Sequence, residues 1–167
     1  MAVTIRRAEP GDATALGELH SFCYGELYAK LLPSAVLAQL NPAMMADLWE
    51  KFMSRGEAYK QWVAEMDGDI IAFVGVGPGR EPEDAGLKEL YFIYVAPAAR
   101  KSGIGSALLS AADPDYMWLW EDNTPTRKFY KREKYAPELV HALRGRAPRR
   151  RHGSLFGTPL YEQRIIR

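Results

Sequence analysis

Apolar and polar positions alternate along the chain in two periods, one suited to strands and one to helices. Val3–Arg7 has the pattern of a short strand, which Pro10-Gly11 breaks. Asp12 stands where an N-cap stands, and the spacing predicts a helix over 13–23 burying Leu16, Leu19 and Phe22. Asn41-Pro42 opens a second helix, with an apolar stripe of Met45, Leu48, Trp49, Phe52 and Met53, and Gly56 closes it. Residues 59–77 read as a hairpin with arms at 61–65 and 70–76. Its turn, Asp67-Gly68-Asp69, has the φ > 0 chemistry of a tight reversal. The Gly-, Pro- and acid-rich stretch 77–86 reads as a loop. Residues 87–95 are apolar on both faces, as in a central strand, and Pro97 stops them. A short helix then ends at Asp113-Pro114, a strand covers 116–120, and a helix over 124–134 opens at Asn123 or Thr124. Residues 137–157 show little periodicity, and 160–166 form a terminal strand. Strands and helices mixed in this order predict one α/β (α+β) domain over residues 1–167.

Composition narrows this little. The chain has 167 residues, 47% hydrophobic and 26% charged, with a net charge of +1, so global charge selects no partner. The single cysteine, Cys23, excludes an internal disulfide and suits a reducing compartment. No apolar run reaches the roughly 18 residues of a membrane span, and MAVTIRRAEPGD lacks the apolar stretch of a signal peptide. The expectation is a cytoplasmic protein without a membrane partner.

The chemistry concentrates at residues 99–109, Ala-Arg-Lys-Ser-Gly-Ile-Gly-Ser-Ala-Leu-Leu. Two glycines open a helix where each costs roughly 1 kcal/mol against alanine. A helix N-terminus offers free N–H groups and partial positive charge, and glycine lets an anion approach the backbone. Arg100 and Lys101 add charge, so residues 100–105 fit a diphosphate cradle. A tight helix–strand packing turn accounts for a bare Gly-x-Gly equally well. The Walker A spacing is absent, and the third glycine of the dinucleotide pattern is replaced by Leu108.

In its context this stretch carries a resemblance. Leu90-Tyr91-Phe92-Ile93-Tyr94-Val95-Ala96-Pro97, then Arg100-x-x-Gly103-x-Gly105 and Leu108-Leu109, resembles the acetyl-CoA-binding motif of the GCN5-related N-acetyltransferases (GNAT family). A second match follows in Trp118-Leu119-Trp120-Glu121-Asp122-Asn123, with Phe129-Tyr130 and Lys134-Tyr135 beyond. The resemblance covers most of the chain. It implies a GNAT-like mixed, largely antiparallel sheet of six to seven strands flanked by about four helices, and transfer of an acetyl group from acetyl-CoA to a primary amine, without a metal.

It also implies roles. The amides of Arg100, Lys101, Ser102, Gly103, Ile104, Gly105 and Ser106 would hold the coenzyme diphosphate. Tyr94 and Val95 would lie along the pantetheine, with the Val95 N–H polarising the thioester carbonyl, and Asn123 and Phe129 would help bind the cofactor. Tyr130 would protonate the departing thiolate; a core tyrosine is the other account of it, as a helix N-cap is of Asn123. Glu89 leads as general base, with Glu65, Glu121 and Asp122 also at strand ends, although a solvated carboxylate or a water chain serves for each. The sequence departs from the family in two places. Asp113-Pro114 cuts the helix about two turns after Gly105. Lys134 replaces a glycine, so a left-handed cap there would cost about 1 kcal/mol.

Other constellations compete. Residues 144–152, Arg-Gly-Arg-Ala-Pro-Arg-Arg-Arg-His, read as a phosphate- or nucleic-acid-contacting loop or as a solvated one. In the family this region often borders the acceptor site, which would favour an anionic acceptor. His20 and Cys23 have helical metal spacing but too few partners, so packing is preferred. Tyr24, Tyr28, Trp49 and Phe52 suit either an aromatic acceptor pocket or a core stripe. The acceptor is a small molecule or a peptide amine, nucleic acid is not the expected partner, and a homodimer is open. The rival reading is a coenzyme A- or nucleic-acid-binding module without turnover.

Overall fold

The computed structural model describes residues 2–30, 32–121, 123–142, 145–155 and 158–167. The chain divides into two units, one of residues up to Pro78 with Tyr91–Asp113, the other of Gly79–Leu90 with Pro114–Arg167.

The first unit holds β1 (Val3–Arg7), α1 (Ala13–Tyr28), α2 (Ser34–Gln39), α3 (Pro42–Met53), β2 (Lys60–Met66), β3 (Asp69–Pro78), most of β4 (Lys88–Val95) and α4 (Ile104–Ala112). The strands run in the order β1-β2-β3-β4, with β1 and β3 antiparallel to β2. The β2–β3 reversal uses Asp67 and Gly68 at φ 54° and 91°. Asn41 caps α3 as expected, its Oδ1 accepting from Met44 N at 3.0 Å. Asp12 does not cap α1 with its side chain. Its carboxylate instead accepts from Glu9 N at 2.8 Å and from the Arg6 guanidinium at 2.8 and 2.9 Å. Those Arg6 hydrogen bonds hold the Asp12 carboxyl below its ordinary range.

Helix α1 runs past the expected end at residue 23, and Tyr28 in its last turn is buried. Phe22 is 59% exposed rather than buried, because Cys23, about 100° further round the helix, takes the inward position. Leu48 is likewise exposed between buried Met45 and Trp49. Gly17 lets α1 and α3 close, since a Cβ there would lie 2.6 Å from Pro42 O. Ala13, Leu16, Trp49, Val63 and Phe73 form the core beneath these helices.

The second unit contains the start of β4, β5 (Tyr116–Trp120), α5 (Thr124–Arg132), β6 (Ala136–Pro137), β7 (Leu139–Ala142), β8 (Gly145–Pro148), β9 (Arg150–Leu155) and β10 (Thr158–Ile166). β4 runs parallel to β5 through two register pairs, Glu89 with Tyr116 and Leu90 with Met117. β10 is antiparallel to β5, β9 and β6, while β7 and β8 pair with each other. The stretch without clear periodicity is therefore largely strand. The architecture is the expected mixed α/β one with a mostly antiparallel sheet, and α2 and β6–β9 are additions to the elements read from the sequence. Among the described residues no helix is long and apolar enough to cross a membrane.

Candidate functional site

A short 3-10 turn, Pro97–Ala99, leads from β4 into the glycine stretch. Ser102 Oγ donates to Ala99 O at 2.6 Å and ties the loop back on itself. Lys101 and Gly103 both adopt left-handed backbone, at φ 64° and 87°. Gly103 is the N-cap of α4, and open space surrounds the place of its missing Cβ, so glycine serves conformation there. Ala107 N donates to Gly103 O at 3.0 Å and starts the helical ladder. Among the described residues no acceptor takes the backbone N–H of Lys101, Ser102, Gly103, Ile104 or Gly105. Successive amides at a left-handed turn and a helix N-terminus form a concavity suited to an anion.

Arg100 differs from its expected role. Its amide donates to Pro97 O at 3.3 Å and is not available to a ligand. Its guanidinium makes a bidentate pair with Glu26, at 3.1 and 2.6 Å, and Nε donates to Val95 O at 3.1 Å. Arg100 thus braces the end of β4, with its charge countered by Glu26. No local signal marks Glu26, which lies 74 residues away in sequence. Val95 is half-buried. The Tyr94 side chain packs among Phe73, Tyr24 and His20, with its hydroxyl 3.4 Å from that of Tyr28. Burial holds the Tyr94 hydroxyl well above its ordinary pKa.

In the second unit Asn123 caps α5, its Oδ1 accepting from Thr126 N at 3.3 Å. Tyr130 is buried on that helix, its ring 5.2 Å from Phe129 and 6.1 Å from Tyr135. Its hydroxyl has no hydrogen-bond partner among the described residues, and burial raises its pKa. The chain beyond α5 does take the left-handed cap, with Lys134 at φ 67°.

Glu89 is fully buried and has no lone pairs to spare. Oε2 accepts from Arg80 N and from the Tyr116 hydroxyl, both at 2.9 Å, while Oε1 accepts from the Arg80 guanidinium. Arg80 and Tyr116 thus hold both oxygens of the carboxylate expected as base. Glu65 pairs with Arg6, and Glu121 pairs with Arg150. Asp122, Arg144 and the Arg146 side chain lie outside the described residues.

The remaining arginines of 144–152 do not form a free basic loop. Arg149 pairs with Glu83 and Glu138, and Arg151 with Glu81 and Glu162. Both guanidinium groups also lie over the Trp118 ring, at 5.9 and 4.4 Å. Cross-strand pairing explains part of this, since Arg151 stands opposite Glu162. Beneath them Arg164 and Asp84 make a buried pair at 2.8 Å. His20 and Cys23 do not converge on a metal set. Burial pushes the Cys23 thiol up to about 11, and among the described residues no three potential ligands cluster.

The family model described as "Acetyltransferase (GNAT) domain" matches residues 57–137, a span that includes the glycine turn, Asn123 and Tyr130. Over these residues the chain matches a GNAT acetyltransferase domain. The L-amino acid N-acetyltransferase AaaT of Escherichia coli (strain K12) is 24% identical over 147 residues, covering 82% of this chain and 83% of the relative. Among solved structures, the PaiA N-acetyltransferase of Thermoplasma acidophilum, in complex with coenzyme A, superposes with a TM-score of 0.73 at 16% identity. The match covers 98% of each chain. The ribosomal-protein-alanine N-acetyltransferase of Brucella melitensis gives 0.67 at 19% identity, also over 98% of each. These likenesses show the fold, and the glycine turn lies within the span that the family model matches.

Proposed function

We propose that this chain moves an acetyl group from acetyl-CoA to a primary amine, and that the N–H groups from Lys101 to Gly105 hold the coenzyme diphosphate. The row of amides without a protein acceptor carries the proposal: five donors in one turn at a helix N-terminus suit an anion such as a diphosphate. Acetyl-CoA would supply the acetyl group as a thioester. The neutral amine attacks the carbonyl carbon, a C–N bond forms, the C–S bond breaks, and the nitrogen releases its proton to water. The thiolate takes a proton from Tyr130, whose hydroxyl burial keeps protonated at neutral pH and which solvent restores. The Val95 N–H polarises the carbonyl. Asn123 and Phe129 shape the cofactor side, with Asn123 also capping its helix. Glu89 has a structural part, clamping Arg80 and Tyr116. The amino-acid substrate in the name of the Escherichia coli relative makes α-amino groups the first acceptors to try.

The test has two stages. Acetyl-CoA at 100 times its Kd should stabilise the protein by about 2.7 kcal/mol, read as a rise in Tm. Thiol release with a panel of amines then measures turnover, and Tyr130→Phe should slow it by about 10²-fold or more with the Tm rise retained. Absence of any Tm change with acetyl-CoA defeats the proposal. A Tm rise without thiol release from any amine makes the chain a binding module.

A further inference from the structure

Glu26 stands in the last turn of α1, where the helix dipole opposes a carboxylate, so it does nothing for its own helix. Among the described residues the cation it pairs with is Arg100, through Nη1 at 3.1 Å and Nη2 at 2.6 Å. Both side chains are nearly half exposed. Such a pair adds little to stability, because water competes for each partner. What the pair does fix is direction. A carboxylate bound in two places sets the plane of a guanidinium. The remaining Nε–H of Arg100 then donates to Val95 O, 3.1 Å away.

That bond reaches the edge of β4 on which the reaction depends. Ala96 N donates to Ile71 O of β3 at 2.8 Å. A trans peptide sends its N–H and C=O to opposite sides, so Val95 O faces away from β3. In an extended residue the N–H and C=O point to the same edge, as they do in a hydrogen-bonded ladder pair. Val95 is the last residue of β4, so its N–H also faces away from β3, on the edge where Arg100 donates. This is the N–H assigned to the thioester carbonyl. Ile71 and Arg100 thus grip the peptide that follows it at both ends. A second pull acts on Arg100. It directly precedes the amides from Lys101 to Gly105, and a guanidinium pairs readily with phosphate. Without Glu26 the side chain would turn to the diphosphate and leave Val95 O.

We propose that Glu26 is a positioning residue for acetyl transfer. Acting through Arg100, it holds Val95 in the orientation that presents its N–H to the thioester carbonyl, and it keeps the guanidinium off the coenzyme diphosphate. The inference rests on the acetyl-transfer reading and adds a residue to it. Glu26 touches neither acceptor nor coenzyme and exchanges no proton.

Glu26→Gln keeps the volume and removes the charge. Its kcat for thiol release at saturating acetyl-CoA should fall about tenfold, a part of the about 10²–10³-fold that one such donor is worth. The loss should be equal with 2-phenylethylamine and with glutamate as acceptor, since the defect lies at the thioester. The coenzyme A Kd should fall rather than rise, by about three- to fivefold, because the released guanidinium gains a phosphate. Tm should not change. Acetyl-CoA labelled with ¹³C at the thioester carbonyl reports the polarisation without an acceptor: its resonance should move downfield on binding the unaltered protein, and less on binding Glu26→Gln. Glu26→Asp should recover part of the kcat. In an Arg100→Lys background, which lacks the Nε donor, Glu26→Gln should cost nothing further. A kcat that falls together with Tm, or with a weakened coenzyme Kd, reduces Glu26 to a structural part and overturns the proposal. Unchanged kcat and carbonyl resonance overturn it too, and acetyl transfer then stands. If the unaltered protein releases no thiol with any amine, the acetyl-transfer reading has failed and this inference falls with it.

Discussion

Between α1, α3 and strands β2–β4 of the first unit the packing is made of rings, with His20, Trp49, Phe73, Phe92 and Tyr94 in mutual contact. In the second unit the space around β5 and β10 holds ions: Asp84, Glu89, Glu138 and Glu162 against Arg80, Arg149, Arg151 and Arg164. Unpaired atoms occur in both. In the second unit Asp84 Oδ2 and Arg164 Nε lack partners, but the same two side chains are joined through their other atoms. In the first unit the orphans belong to neutral side chains with no charge nearby. The difference is one of packing chemistry rather than of satisfaction, since the neutral Trp118 Nε1 and Gln163 Oε1 of the second unit lack partners too.

The sharpest break of that comparison is at the buried pair. Arg164→Met leaves the Asp84 carboxylate buried with its main partner gone, which costs about 3–5 kcal/mol in urea unfolding. The double variant Asp84→Leu with Arg164→Met removes both charges and should recover most of the loss. A single variant costing under about 1 kcal/mol would mean that the ions are not what holds the second unit.

The first unit should show its neutrality in its acid response. His20 is held neutral in the fold at a pKa of about 4, whereas an unfolded histidine titrates near ~6.5. Between those values the unfolded chain binds a proton that the folded chain refuses, so stability falls as pH drops from about 6.5 to about 4. The full effect is about 3 kcal/mol, and stability is insensitive to this group above that window. Most carboxylates titrate lower, so Tm scans over pH 4–6.5 isolate it, and His20→Gln should flatten the curve.

How far these regions could be read in advance follows from the physics of each. β1, β5 and the β2–β3 turn stood out because their patterns are local: alternation, Asp-Gly, a proline stop. The glycine turn stood out because two glycines at a helix start have a conformational reason, met by Gly103 at φ 87°. Phe22 misled because an apolar residue on a helix does not announce its phase. Strand β9 was hidden because its arginines read as solvated, and Arg151 and the adjoining Arg149 find their partners Glu81, Glu83 and Glu138 elsewhere in the sequence. Long-range pairing leaves no local trace. Glu89 shows the same limit: the family resemblance suggested a base, and only the fold reveals Arg80 and Tyr116 closing on both its oxygens.

Glu89→Gln therefore separates the two roles of a carboxylate directly. The amide keeps the volume but weakens the charge-assisted bonds from Arg80, whose side chain is half exposed and can turn to water. The expected loss is about 1.5–3 kcal/mol of stability, with thiol release per folded molecule unchanged. Turnover collapsing in a protein of unaltered Tm would restore Glu89 as the base.

The smallest effect lies at the outer arginines, and it bears on the acceptor. Arg151 is partly exposed, paired with Glu81 and Glu162, and stacked on Trp118. Exposed pairs contribute about 0–1 kcal/mol because water and salt compete for both partners. Arg151→Gln should lower stability by no more than that, with the difference shrinking further in 0.5 M salt. It should also leave the ratio of kcat/KM for 2-phenylethylamine over glutamate where it was, since a guanidinium already held by two carboxylates has little charge to offer a third. A ratio that rises because glutamate is lost would show that Arg151 reaches the acceptor after all.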